Sequence, residues 1–207
     1  MSGKLAVLFA IGVFGTAQAA DKELRLDSFE SGDSVSFQGG FLDGECWASI
    51  FTPDPGDYPF TPVSLDLLVG GSQSAQYFVV KVYEAGNGLP LGALVDSEAF
   101  ELQGSDEAFN RLVFSEAEMS LPEVESGNLA VAVCLDEHDG YPAIGTDAGG
   151  ISEASSNLLY ANTGTSSGWF QSSAFGLQGD WIMRLCIEGD NVSGGPCPEA
   201  AGGGDAD

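Results

Sequence analysis

The chain has 207 residues, with 31 Asp and Glu against 6 Lys and Arg and a formal net charge of −25. So acidic a surface repels phosphate backbones and has no basic stripe from which to release counterions, which argues against nucleic acid and anionic membranes as partners. The single histidine, His138, lies in the acidic run Asp136-Glu137-His138-Asp139-Gly140, and no Gly-x-Ser-x-Gly elbow accompanies it, so a Ser-His-Asp hydrolase is not indicated.

In chain order, Lys4 precedes an apolar run from Leu5 to Phe14, and the small residues Gly15 to Ala20 follow with an Ala-x-Ala pattern at Ala17 and Ala19. This is the layout of a secretory signal peptide over residues 1–20, too short for a membrane span. No Cys follows the apolar stretch, so no lipid anchor is expected. No later apolar run approaches the roughly 18 residues of a membrane helix. The expected location is secreted or extracellular, in the periplasm or at the cell surface.

Residues 21–188 read as one β-rich domain. Glycine is abundant, at 29 residues, and short alternating apolar stretches are separated by Gly, Pro, Asp or Ser. Strands are predicted at Ser34–Phe37, Cys46–Phe51 and Val63–Val69. The clearest is Tyr77–Tyr83, where Phe78, Val80 and Val82 face one way and Tyr77, Val79, Lys81 and Tyr83 the other. Asn87-Gly88 marks a turn, because both residues tolerate positive φ. Further strands are predicted at Glu98–Leu102, Asn110–Phe114, Asn128–Leu135, Asn157–Ala161 and Asp180–Ile187. Ser115 to Met119 offers one helical turn, with Ser115 as N-cap and Glu118 in capping-box position. About ten short strands at this spacing favour an all-β fold: a two-sheet antiparallel β-sandwich, jelly-roll-like.

Residues 189–207 lose apolar periodicity and read as a flexible Gly/Ala/Asp-rich tail, mobile except where Cys197 ties it back. Asn191-Val192-Ser193 matches a glycosylation acceptor. Four cysteines in an exported chain suggest two disulfides. Cys134 and Cys186 both lie in apolar strand-like runs, so the expected pairs are Cys134 with Cys186 and Cys46 with Cys197. No Cys-x-x-Cys spacing supports zinc or thiol redox chemistry.

Oxygen-rich loops hold Asp54, Asp57, Asp136, Glu137, Asp139 and Asp147, the last four being the main candidates for metal ligation. They suit Ca²⁺, the one cofactor the sequence suggests, although no EF-hand spacing is present and solvated loops are the plainer reading. Exposed aromatic rings beside polar loop residues suit a sugar's apolar face. Trp169, Phe170, Tyr58 and Tyr141 are the ligand-binding candidates, with Phe60 nearby, whereas Trp47 and Trp181 lie in alternating runs and read as core.

Four segments together resemble jelly-roll-like sandwich domains that stand beside cell-surface sorting or anchoring tails in exported proteins of Gram-negative bacteria. They are Glu45 to Phe51, Pro62 to Gly71, Phe78 to Glu84 with its Pro90-Leu91-Gly92 loop, and Gly179 to Arg184. The resemblance implies a non-catalytic secreted or surface module and transfers no catalytic set. The expected function is binding of a glycan or an extracellular protein. A structural subunit of a matrix, appendage or envelope is the first alternative, and a small carboxylate-dependent hydrolase the second.

Overall fold

The structure, a computed structural model, describes residues 20–135 and 143–197. The expected signal peptide falls outside these residues except for Ala20, and so does the acidic run at 136–139 with Tyr141. Thirteen strands follow in order: β1 Ala20–Arg25, β2 Val35–Gln38, β3 Cys46–Phe51, β4 Thr61–Leu67, β5 Val69–Gly70, β6 Ala75–Ala85, β7 Leu94–Gln103, β8 Asn110–Val113, β9 Asn128–Leu135, β10 Ala143–Asp147, β11 Asn157–Asn162, β12 Ser167–Gln171 and β13 Met183–Gly189. All pairings are antiparallel.

One layer runs β1-β13-β4-β8, and the other β12-β11-β3-β9-β6-β7. The first described strand thus pairs with the last, and β3-β9-β6-β7 oppose β1-β13-β4-β8. That order is the jelly roll, with β11 and β12 added beside β3. A small sheet, β2-β10-β5, continues the first layer and is joined to it through Gly145 N to Leu68 O at 2.8 Å and Ile182 N to Gly145 O at 2.9 Å. The chain is an antiparallel β-sandwich, as its alternation predicts.

Between the layers, alternation along each strand delivers Trp47, Phe51, Phe78, Val80, Val131, Leu185 and Trp181 to one core. Trp181 is fully buried, and its indole N–H donates to Leu158 O at 2.9 Å across the layers. Asn157, also fully buried, accepts from Trp181 N at 3.1 Å and donates to Ser172 Oγ at 2.8 Å and Gly179 O at 3.0 Å. Every polar atom of that amide is used, as a buried polar group requires.

Three strands escaped the sequence reading. β1 contains one buried apolar residue, Leu24, and after Ala20 is otherwise charged. Its charges are matched both across the fold, Lys22 to Asp54 and Asp57, and locally, Arg25 to Glu23 and Glu30. β10 and β12 carry Gly and polar residues where alternation would need large apolar ones. Residues 115–119 form turns, with Ala117 N to Val113 O at 3.3 Å, and Glu118 at φ 58° ends any helical continuation.

The disulfide pairing expected from sequence is corrected: the bonds are Cys46–Cys134 and Cys186–Cys197. Cys46 and Cys134 stand directly opposite on β3 and β9, with Cα atoms 4.0 Å apart. Apolar strand character put Cys134 and Cys186 in the same class, but they lie in opposite layers. Residues 189–197 are tied down rather than trailing. Val192 is buried, Asn191 Nδ2 donates to Tyr58 O at 2.9 Å, and Ser193 N reaches Asp57 Oδ1 at 3.4 Å.

The edge strand β7 is blunted by side chains of its own and of β8. Ser97 N donates to Asp96 Oδ1 at 2.8 Å, Ala99 N to Glu98 Oε1 at 3.1 Å, and Gln103 N to Asn110 Oδ1 at 2.9 Å. Amides engaged in this way are not free to pair with another strand.

Two outcomes are expected. Cys46→Ser with Cys134→Ser opens a bridge spanning 88 residues, against 11 for the other bridge; chain entropy makes its loss the costlier by about 2 kcal/mol in denaturant unfolding. Asn157→Ala strands Trp181 N–H and Gly179 O inside the protein and costs about 2–4 kcal/mol by the same measurement.

Candidate functional site

The outer face of the six-stranded sheet is built by the residues that alternate with the core. Its middle is mostly small: Ala48 from β3, Ala130 and Ala132 from β9, and the Cys46–Cys134 bridge, with Ile50 of β3 as the one large side chain, all 3% exposed or less. In register across the sheet, Trp169 lies opposite Tyr160, Tyr160 opposite Cys46, Cys46 opposite Cys134, and Cys134 opposite Val79. Trp169 on β12 and Tyr83 on β6 are separated by three strands, about 19 Å at normal strand spacing. Their rings nevertheless meet edge to face, with centroids 6.2 Å apart. Tyr160 packs on Trp169 in the same way at 5.4 Å.

The alanines explain this approach. Their methyl groups keep the surface low between Ile50 and the disulfide, and the flanking rings lean over it. The three rings are partly buried, each keeping a solvent-facing surface. Lys81 and Tyr77 extend the same strand face, and Tyr77 is 62% exposed. Burial raises the Tyr83 phenol above its ordinary pKa, and the neighbouring Tyr160 adds to the shift, so Tyr83 acts as a neutral hydroxyl group near neutrality.

The sequence-derived candidates divide. Trp169 belongs to this face. Phe170, one residue on, turns inward to the core and packs edge to face on Phe175 at 5.4 Å. Tyr58 stands elsewhere, its ring 5.4 Å from Phe60 and its hydroxyl donating to Gly127 O at 2.6 Å. Tyr141 lies outside the described residues. Tyr83 and Tyr160 were missed as candidates, although the period-2 pattern had already placed Tyr83 with Tyr77 and Lys81 on the face opposite Phe78, Val80 and Val82. A sandwich buries one face of each sheet, so aromatics on the other face were the available signal.

Among the metal candidates, Asp136, Glu137 and Asp139 fall outside the described residues. Asp147 is buried: its Oδ2 accepts from Ser28 N at 2.7 Å and Ser28 Oγ at 2.8 Å, and its Oδ1 from Asp180 N at 3.0 Å. Asp54 and Asp57 hold a protein cation, Lys22 Nζ, at 2.6 and 2.8 Å. Burial pushes Asp57 upward, but hydrogen bonds from Lys22, Asp54 N and Ser193 N outweigh it and hold the carboxyl below its usual range.

Three other aspartates, Asp27, Asp66 and Asp180, are buried. Asp27 is raised by burial despite its Arg184 partner at 2.7 Å. Asp66 pairs with Arg111 across β4 and β8. Asp180 is raised by burial, and the charges of Asp147 and Asp27 push the same way against the opposing bond from Ser152. A separate groove of about 810 Å³ has Phe29, Phe37 and Phe109 in its lining with Glu30, Asp33 and Asp106, and Arg184 sits 4.8 Å over the Phe109 ring.

Comparison with family models, with curated proteins and with solved structures found no match. The two disulfides and the absence, among the described residues, of any helix long and apolar enough to cross a membrane are compatible with an exported protein.

Asp57→Asn is expected to cost about 2–3 kcal/mol of unfolding free energy at neutral pH, since hydrogen bonds to a charged group are lost. The folded chain favours ionised Asp57. The difference between variant and parent is therefore full above the unfolded aspartate pKa of about 3.9 and vanishes as pH falls through the lower folded value. Urea unfolding at neutral and strongly acid pH measures both limbs.

Proposed function

We propose that this chain is a non-catalytic, exported binding module that takes a glycan on the outer face of its six-stranded sheet. The observation that carries the reading is the grouping of Trp169, Tyr160 and Tyr83 on the side of the sheet facing away from the core. Edge-to-face packing holds the rings in place, so little side-chain entropy is left to lose when a ligand arrives. Aromatic surfaces of this kind accept the C–H face of a pyranose ring. The Tyr83 and Tyr160 hydroxyls and Lys81 supply polar groups for its hydroxyls. Along β6, Tyr77 and Tyr83 are six steps apart, about 20 Å, which suits a short oligosaccharide better than a single sugar.

The structural-subunit alternative is less well supported. A strand-added polymer needs a free edge, and at one edge, β7, three amides are already engaged by side chains. A carboxylate hydrolase would need an acid and a base free to act. Among the buried acids, Asp27, Asp57 and Asp66 are held by Arg184, Lys22 and Arg111 and both oxygens of Asp147 accept hydrogen bonds, so that Asp180 alone keeps an unengaged oxygen.

Glycan-array binding by the parent chain tests the reading. Trp169→Ala is expected to weaken binding to the selected glycan at least tenfold, and Tyr83→Ala to weaken it as well, with the circular dichroism spectrum unchanged. Phe170→Ala, which alters the core side of the same strand, serves as the comparison and should retain binding wherever it folds. Retained affinity in Trp169→Ala would refute the assignment of this face.

A further inference from the structure

Asp147 and Asp180 are 5% and 1% exposed and are locked together, Asp147 N to Asp180 O at 3.1 Å and Asp180 N to Asp147 Oδ1 at 3.0 Å. Neither forms an ion pair among the described residues, whereas the buried Asp27 has Arg184. Asp180 Oδ2 accepts from Ser152 N at 2.8 Å, but Asp180 Oδ1 is buried with no hydrogen-bond partner among the described residues. A carboxylate oxygen taken out of water without a donor or a cation is strongly unfavourable.

The surroundings are rich in oxygen. The Ser152 hydroxyl reaches Leu26 O at 3.4 Å, and the Ser28 hydroxyl lies on Asp147. Gly179 and Gly149 let the backbone close in: a Cβ at Gly179 would stand 2.1 Å from Asp147 O, and one at Gly149 would stand 2.4 Å from Ser28 Oγ.

The geometry points to a Ca²⁺ site here, with Asp180 Oδ1 as a direct ligand and Asp147 as the second negative charge. No His or Cys joins the pair, and no third acidic side chain comes within one ion's reach of it among the described residues. Main-chain carbonyl and hydroxyl oxygens therefore complete the shell, a mixture that calcium accepts in flexible six- to eightfold geometry and that magnesium's strict octahedron does not favour. The ion joins the segment after β1, the end of β10 and the residues leading into β13. It is separate from the aromatic face and does not depend on a glycan.

The test is thermal unfolding of the parent chain in EDTA and in Ca²⁺. At about a hundredfold excess over Kd, Ca²⁺ should raise Tm by roughly 5–10 °C. Mg²⁺ at the same concentration should give a smaller rise. Asp180→Asn should fold in EDTA and show no Ca²⁺-dependent rise. Terbium luminescence excited through the adjoining Trp181 gives a second readout on the parent chain, and Ca²⁺ should displace it. A parent Tm identical in EDTA and Ca²⁺ would overturn the site, as would a calcium-dependent rise preserved in Asp180→Asn. If Asp180→Asn does not fold, absence of displaceable terbium luminescence in the parent would do the same.

Discussion

The buried pairing of Asn157 with Trp181 is the interaction on which the rest of this molecule depends. One amide side chain of β11 satisfies the main chain at Gly179 and Trp181 in the segment leading into β13, and one indole donates back to the strand that carries the amide. Because an unsatisfied polar group in this position would cost more than the contact itself contributes, the two layers can close here in only one register. That register fixes β11, and through it β12, at the side of the six-stranded sheet. It also fixes Gly179 and Asp180 against Asp147, so both surfaces assigned a role are positioned from a single point.

The aromatic face depends on what is missing from the middle of its sheet. Alanine at three central positions and a cross-strand disulfide keep the centre low, and rings from strands far apart in the sheet can lean together over it. Larger residues at Ala48 or Ala132 would hold Trp169 and Tyr83 upright and apart. The disulfide makes the same region stiff, and a stiff platform loses less entropy on binding than a mobile one.

The charge distribution follows the same economy. With six basic residues in the whole chain, four of them, Lys22, Arg25, Arg111 and Arg184, lie in strands of one layer and pair with acids. The scarce cations thus neutralise acids in the layer away from the aromatic face, leaving Lys81 there with no ion-pair partner among the described residues. Exposed acids among the described residues, such as Glu98 and Glu101 on β7, favour solubility.

How much of this could be read beforehand varies by element. β3 and β9 are legible to the residue, and the two faces of β6 are correctly divided, because an alternating β-branched and aromatic run has one low-energy reading. Trp47 and Trp181 are legible as core for the same reason. β1 is not, because its stabilising partners lie tens of residues away, and its sequence has no apolar period. Nor are the disulfides: strand character does not reveal which layer a cysteine occupies, and Cys134 and Cys186 occupy opposite ones.

By itself, then, the sequence determined that the chain folds as an antiparallel β-sandwich, since a period of two with frequent turn residues can bury its apolar half in few other ways. Tertiary structure alone decided which cysteines meet, that Phe170 turns inward while Trp169 stays out, and that Asp147 and Asp180 share one buried spot. Those outcomes depend on strand order and register. Both are set by packing between segments far apart in the chain, which local periodicity does not encode.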